Sequence, residues 1–353
     1  MQITPPENFS RLDSFPKVDY SFININAYVL KTDFSERRLM YFASYGCPLN
    51  CPFCSGAQVF KKSWFPKETD TIINDIKYFI RTARIDSILF WDDNFFSNRK
   101  FVLDFANRLI AENINILWEG SAHARSFVQM FSDSDLDLLY RAGLRRVSTG
   151  AESGSDVVLS AIKDKLVCED VLHLIKKLKT HHITTFFSTM MGYPLDVKDD
   201  IRATFKLIRK AKLIDNAVKI QINIFTPYPQ TPLYKKAISK GFCEPQQLKD
   251  WINHAPACFR PPWLNPSFYD TLDAFMNFYL PFSEKKCYLR APSGFRKTAR
   301  FFNTVWRPFI IARLRLNLFI FPFDWMLFKK LLNAYNKKHN DNLRFYAYGI
   351  FGN

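Results

Sequence analysis

The sequence predicts an α/β fold, a partial (β/α)6 TIM-like barrel with an aromatic, basic and mostly helical C-terminal extension. Three observations predict it. Short apolar runs bounded by turn residues alternate with stretches of i, i+3, i+4 apolar spacing over residues 36–242. Each strand–helix pair takes roughly 30–40 residues, the length of a right-handed parallel βαβ crossover. Six such pairs are too few to close an eight-stranded barrel, so the sheet should stay open, with active residues at the C-terminal strand ends.

The elements follow in order. Residues 1–35 hold Pro5, Pro6 and Pro16 without sustained periodicity and read as an extended arm. Strand-like runs fall at Leu39–Ala43, Ile88–Trp91, Ile116–Trp118, Arg146–Thr149, Thr185–Met191 and Ile220–Phe225. Helical spacing marks Asp70–Ala83, Arg99–Glu112, Ser134–Ala142, Asp156–Ile162, Cys168–Thr180 and Asp199–Lys212. The alternation stops after Phe242, leaving 243–353 as the extension. Three parts result: an arm (1–35), a barrel (36–242) and a tail (243–353).

A content of 48% hydrophobic and 23% charged residues fits a folded chain and excludes collagen, low-complexity disorder and a disulfide miniprotein. Aromatic content is high, with 36 Phe, 15 Tyr and 7 Trp. The net charge is +16, and Glu284–Arg344, with 14 Lys/Arg against 3 Asp/Glu, holds most of it. An anionic partner is therefore expected at the C-terminal end. The first fifteen residues lack the apolar core of a signal peptide. The most apolar stretch, Pro308–Phe328, is interrupted by Arg313, Arg315, Pro322 and Asp324, so a spanning helix is not expected. Three of the seven Cys crowd into eight residues, which points to a metal in a reducing cytoplasm rather than to disulfides.

Those three are Cys47, Cys51 and Cys54, spaced Cys-x3-Cys-x2-Cys on the loop after the first strand. Three thiolates on one tight loop can converge on one inorganic centre. Ordinary [4Fe–4S] clusters take four Cys, so three leave one iron open, as a catalytic metal requires. A structural zinc site would need a fourth ligand. No second Cys-x2-Cys follows, and Cys168 is alone in a helix. Cys243, Cys258 and Cys287 match no metal spacing and read as small buried hydrophobes.

At these residues the sequence resembles the radical S-adenosylmethionine (radical SAM) enzymes, with Phe53 as the aromatic before the third Cys. The resemblance runs from about Ser10 to Gly241. It looks closest to the subgroup often fused to a cobalamin-binding domain, with Tyr45 where that subgroup has Arg. Four further strand ends match in order. Phe90-Trp91-Asp92-Asp93-Asn94-Phe95 is similar to the acidic end that holds the methionine amino group. Thr149 to Ser155 is similar to the Gly-x-Glu-Ser-Gly-Ser motif facing the methionyl and ribose groups. Met191-Gly192-Tyr193-Pro194-Leu195-Asp196 and Thr226 to Tyr234 complete the set, with Leu195 and Gln230 where the family has Gly, and Asp196 where it has Glu.

The resemblance implies a [4Fe–4S] cluster on Cys47, Cys51 and Cys54, and S-adenosylmethionine held by Asp92, Asp93, Asn94, Glu152, Ser153 and Gly192. It also implies a protein reductant such as flavodoxin or ferredoxin, and cleavage to a 5′-deoxyadenosyl radical that takes hydrogen from a substrate. The residues admit plainer readings too. Asp92, Asp93 and Asn94 suit a strand end and helix cap, and Glu152 an N-cap. Arg125, after His123, suits either the methionine carboxylate or a solvated loop. The subgroup's cobalamin domain would lie before residue 1, so the expectation is an enzyme without cobalamin, one drawing it from a separate subunit, or a shortened relative. Competing classes are an iron–sulfur electron carrier, which needs no adenosine pocket, and a nucleic-acid modifier, for which the tail lacks an RNA-binding module.

In the tail, Phe302, Val305, Phe309, Ala312, Leu316, Phe319 and Phe323 make one stripe on a helix that starts or kinks at Pro308. Either the stripe is core against the barrel, or the helix lies on an anionic membrane surface with Trp306 and Trp325 at headgroup level. The second reading would place the chain in the cytoplasm, peripheral to the membrane, and suit a hydrophobic substrate.

Overall fold

The computed structural model describes residues 16–195, 200–254, 259–283, 293–316, 318 and 322–340. Among these residues there are eight strands: β1 (Arg38–Tyr41), β2 (Ser44–Gly46), β3 (Trp64–Pro66), β4 (Ser87–Phe90), β5 (Leu117–Ala122), β6 (Leu144–Glu152), β7 (Thr184–Met191) and β8 (Lys219–Ile224). Six form one sheet in the order β1-β4-β5-β6-β7-β8, every pair parallel. Each crossover steps to the adjacent strand, so the twist of successive strands curls the sheet into the expected open half-barrel. The remaining two, β2 and β3, pair antiparallel as a small hairpin.

Helices α1 (Ser55–Val59), α2 (Thr69–Ala83), α3 (Arg99–Ala111), α4 (Ala124–Met130), α5 (Asp133–Arg141), α6 (Asp156–Ile162), α7 (Cys168–Thr180), α8 (Asp200–Ile214) and α9 (Pro232–Ser239) fill the connections. The outer side of the sheet is the core. Ile72, Ile76 and Phe79 of α2 and Val102, Phe105 and Leu109 of α3 are buried there with Tyr41, Phe90 and Trp118 of the strands. Phe90, Phe95, Phe96, Phe105, Trp118, Phe127 and Phe131 stack edge and face in one cluster. That cluster absorbs part of the aromatic surplus.

The inner side is different, because alternation along each strand turns polar residues inward. Arg38, Glu119 and Arg146 meet at the N-terminal ends, with Arg38–Glu119 at 2.8 Å and Arg146–Glu119 at 3.1 Å. Asp33 of the arm reaches Arg146 at 2.6 Å and Lys219 at 3.4 Å. The network satisfies Glu119, which is buried. The expected strand over Ile116–Trp118 runs on to Ala122 because Glu119 and Ser121 are inward positions of the same strand.

The tail contains α10 (Pro266–Ala274), α11 (Leu280–Ser283), α12 (Ser293–Phe301), α13 (Arg307–Leu316) and α14 (Phe323–His339). Phe278, Phe282, Phe295, Phe302 and Phe328 pack on one another as a second aromatic core. Phe275 stacks on Phe205 of α8, centroids 3.9 Å apart, which joins this core to the barrel. Buried Asp324 accepts from the Tyr279 hydroxyl at 2.7 Å and pairs with Arg313 at 3.2 Å.

A π-helical turn over Phe302–Trp306 joins α12 to α13 and places Pro308 in the first turn of α13. Its extra residue rotates the following face. Of the expected stripe only Phe302 is buried, while Val305, Phe309, Ala312, Leu316 and Phe323 are exposed. The core position of α13 is Ile310 instead. Trp325 is buried, so it does not stand at a surface. Phe319 lies outside the described residues. Among the described residues no helix is long and apolar enough to cross a membrane.

Candidate active site

The three cysteines follow β2 directly. Gly46 has φ +81°, and a Cβ there would lie 2.3 Å from the Ser63 carbonyl oxygen. Only glycine lets the loop leave β2 against the hairpin partner. The Cys54 N–H donates to the Cys51 carbonyl at 3.0 Å, closing a tight turn, and the Leu233 N–H ties Pro52 to α9. Cys51 is buried, Cys47 and Cys54 partly so. Burial pushes the Cys47 and Cys51 thiols up, offset in part by Lys163 at Cys51. Buried thiols of this kind ionise when a metal displaces their protons.

The end of β4 braces this loop. Asp92 is buried and accepts from the Ala43 N–H at 3.2 Å and from the Ser44 hydroxyl. Burial pushes its carboxyl up to about 7 against those bonds. Asp93 accepts from the Gly46 N–H at 2.9 Å, and the Asn94 amide stands 3.6 Å from the Cys47 sulfur. All three thus contact the cysteine loop or the turn before it.

The end of β6 supplies the opposite wall. Glu152, at φ +58°, turns its buried carboxylate onto the Lys163 ammonium at 2.9 Å. Gly150 makes room, since a Cβ there would meet Glu152 Oε1 at 2.0 Å. Burial works against the Lys163 proton, but Glu152 and Cys51 outweigh it and hold the pKa above its ordinary value. Lys163 also stands 5.7 Å over the Phe53 ring. Ser153 donates to Asp200 of α8 and is buried. Sequence reasoning missed Lys163. It caps α6 with no motif around it, and only the turn after β6 brings it to the cysteines.

Gly192, at φ +82°, opens a cavity of ≈ 230 Å³ lined by Tyr193, Leu195, Ile201, Trp263, Leu264 and Phe268, among others. The Trp263 indole donates to the Gly192 carbonyl at 3.1 Å, so the tail forms one wall. Asp196 lies outside the described residues. His123 caps α4 through Nδ1, and burial with the nearby Lys163 charge pushes it down to about 4, so it is neutral at pH 7. Arg125 donates to the Lys165 carbonyl at 2.9 Å. Cys243 is exposed, and Cys258 and Cys287 lie outside the described residues.

The residues fit an iron–sulfur cluster. Two buried polar atoms beside the thiols, Asn94 Oδ1 and Tyr193 Oη, have no hydrogen-bond partner, as expected where a bound group completes the site.

A model of the radical SAM superfamily matches residues 41–208, the segment that carries this site. Residues 41–208 belong to the radical SAM superfamily. An uncharacterised methyltransferase of Pyrococcus horikoshii is 28% identical over 237 residues, 67% of this chain and 49% of that protein. The anaerobic magnesium-protoporphyrin IX monomethyl ester cyclase of Rubrivivax gelatinosus is 22% identical over 250 residues, 70% of this chain and 42% of the cyclase. The chain spans less than half the length of these curated relatives. The structure of the cobalamin-dependent radical SAM enzyme OxsB, with aqua-cobalamin and S-adenosylmethionine bound, superposes with a TM-score of 0.57 at 13% identity. It covers 86% of this chain and 50% of OxsB, so the likeness in fold extends beyond the radical SAM half-barrel.

Proposed function

We propose that this chain is a radical SAM enzyme acting on a hydrophobic substrate. When bound, a [4Fe–4S] cluster reduced by a flavodoxin- or ferredoxin-like protein supplies the electron that cleaves S-adenosylmethionine to a 5′-deoxyadenosyl radical, which abstracts substrate hydrogen. The observation that carries this reading is one loop of three cysteines set against a buried Glu152–Lys163 pair at the C-terminal ends of a parallel half-barrel.

Cys47, Cys51 and Cys54 hold the cluster, and Asp92 and Asp93 fix the loop that carries them. S-adenosylmethionine would bind against Asn94, Glu152, Ser153 and Gly192. Lys163, paired with Glu152 at 2.9 Å, orients it there. Neutral His123 adds no charge. The cavity behind Gly192 has Leu195, Ile201, Trp263, Leu264 and Phe268 on its apolar walls and Asp200 and Lys240 among its polar lining, which supports a substrate that is hydrophobic in part.

The test is anaerobic reconstitution with iron and sulfide, then dithionite and S-adenosylmethionine, with products read by mass spectrometry. About four irons per chain and 5′-deoxyadenosine with methionine are expected. Stoichiometric zinc, or an intact cluster that never yields 5′-deoxyadenosine, would overturn the reading in favour of a zinc or electron-transfer protein. Methyl transfer is the second reading, favoured by the methyltransferase names among the relatives. Cobalamin would then come from another subunit or another part of a longer protein. Its mark is S-adenosylhomocysteine formed on addition of cobalamin.

A further inference from the structure

The tail carries a surface that the site does not use. Val305 in the π-helical turn, Phe309 and Leu316 on α13, and Phe323, Leu327 and Leu331 on α14 are between 42% and 65% exposed. Phe309 and Leu316, seven residues apart, share one face of α13, and Phe323, Leu327 and Leu331, at steps of four, share one face of α14. Arg313 links the two helices, its guanidinium 5.1 Å over the Phe323 ring and 3.2 Å from the Asp324 carboxylate. The helices are held from within by Phe302, Ile310 and Phe328, so the outer residues are not needed for the fold.

The charge that α12–α14 contribute is almost all positive, with Asp273 of α10 meeting Lys329 at 3.4 Å beside it. Residues 293–340 contain ten Lys/Arg and one acidic residue, Asp324, which is fully buried against Tyr279 and Arg313. Lys330, Lys337 and Lys338 are exposed on α14. An apolar face edged by cations, with its one carboxylate turned inward, is complementary to apolar chains beneath anionic headgroups. A second copy of the chain would set these cations against each other.

We propose that the α13–α14 face docks on an anionic phospholipid bilayer, its apolar residues entering the headgroup boundary. The test is co-flotation of the full chain with phosphatidylcholine vesicles, with and without phosphatidylglycerol, at low and high salt. Binding that requires phosphatidylglycerol and weakens with salt is expected. Each cation near such a surface is worth about fivefold in partitioning, so neutralising Lys330, Lys337 and Lys338 together should lower it about a hundredfold. The variant Phe309→Ser/Phe323→Ser should abolish flotation while keeping its thermal midpoint, since both side chains are exposed. No flotation at low salt by a folded chain overturns the proposal. Equal binding to phosphatidylcholine alone, or self-association removed by the same variants without vesicle binding, also overturns it.

Discussion

Replacing Lys163 by Met breaks the only ion pair of Glu152 among those described and leaves a carboxylate stranded in the site. Both side chains are at most 10% exposed and 2.9 Å apart, so water cannot take over the lost partner. Removing one member of a pair this buried costs about 3–5 kcal/mol, mostly the penalty of the unpaired charge. At roughly 2 °C per kcal/mol for a chain of this length, the thermal midpoint should fall by about 6–10 °C. Glu152→Gln should cost a similar amount, because it strands the ammonium. The double variant Glu152→Gln/Lys163→Met should regain most of the loss, since no charge is then buried alone. Urea unfolding of the four proteins, metal-free and under one buffer, gives the coupling energy directly. A Lys163→Met loss under about 1 kcal/mol, or a double variant no better than the worse single, would refute the argument that the pair is dry and mutually dependent.

Three further outcomes follow from the site. Cys51→Ala should abolish iron binding after anaerobic reconstitution, read by iron assay and loss of the visible absorption band, whereas Cys243→Ala should leave both unchanged. Gly46→Ala forces a side chain to φ +81° and onto the Ser63 carbonyl. It should cost at least about 1–3 kcal/mol in urea unfolding and lower iron content as the loop shifts. Asp92 binds its proton more tightly folded than unfolded, with a pKa of about 7 against 3.8. Its contribution to stability is therefore fully present below about pH 4 and is lost as pH rises through 7, on the order of 4 kcal/mol in all. Midpoints measured from pH 5 to 9 should decline for this reason, and a decline of the same size in Asp92→Asn would show another group responsible.

The half-barrel was legible because its outer strand faces and the facing helix sides are apolar at periods of 2 and 3.6. Residues such as Phe90, Trp118, Ile76 and Phe105 announce both elements and their packing. The cysteine loop was legible from spacing alone. The β2–β3 hairpin was not, since three residues in each strand show no period. The Glu152–Lys163 pair was hidden for another reason: its partners meet only after the chain turns at positive φ. The tail stripe misled because a 3,4 rule assumes unbroken α-helix. One π-helical turn before Pro308 carried the same residues to the opposite side of the core.

The arm also has a consequence for traffic through the molecule. Asp33, held by Arg146 and Lys219 over the Arg38–Glu119 pair, stoppers the half-barrel at its N-terminal mouth with charge. The sheet does not close between β1 and β8, so what reaches the polar inner wall comes by that open side or over the rim where Cys47, Cys51 and Cys54 sit. The arm is thus a stopper at one mouth, and the residues that bear the chemistry stand at the lip of the other.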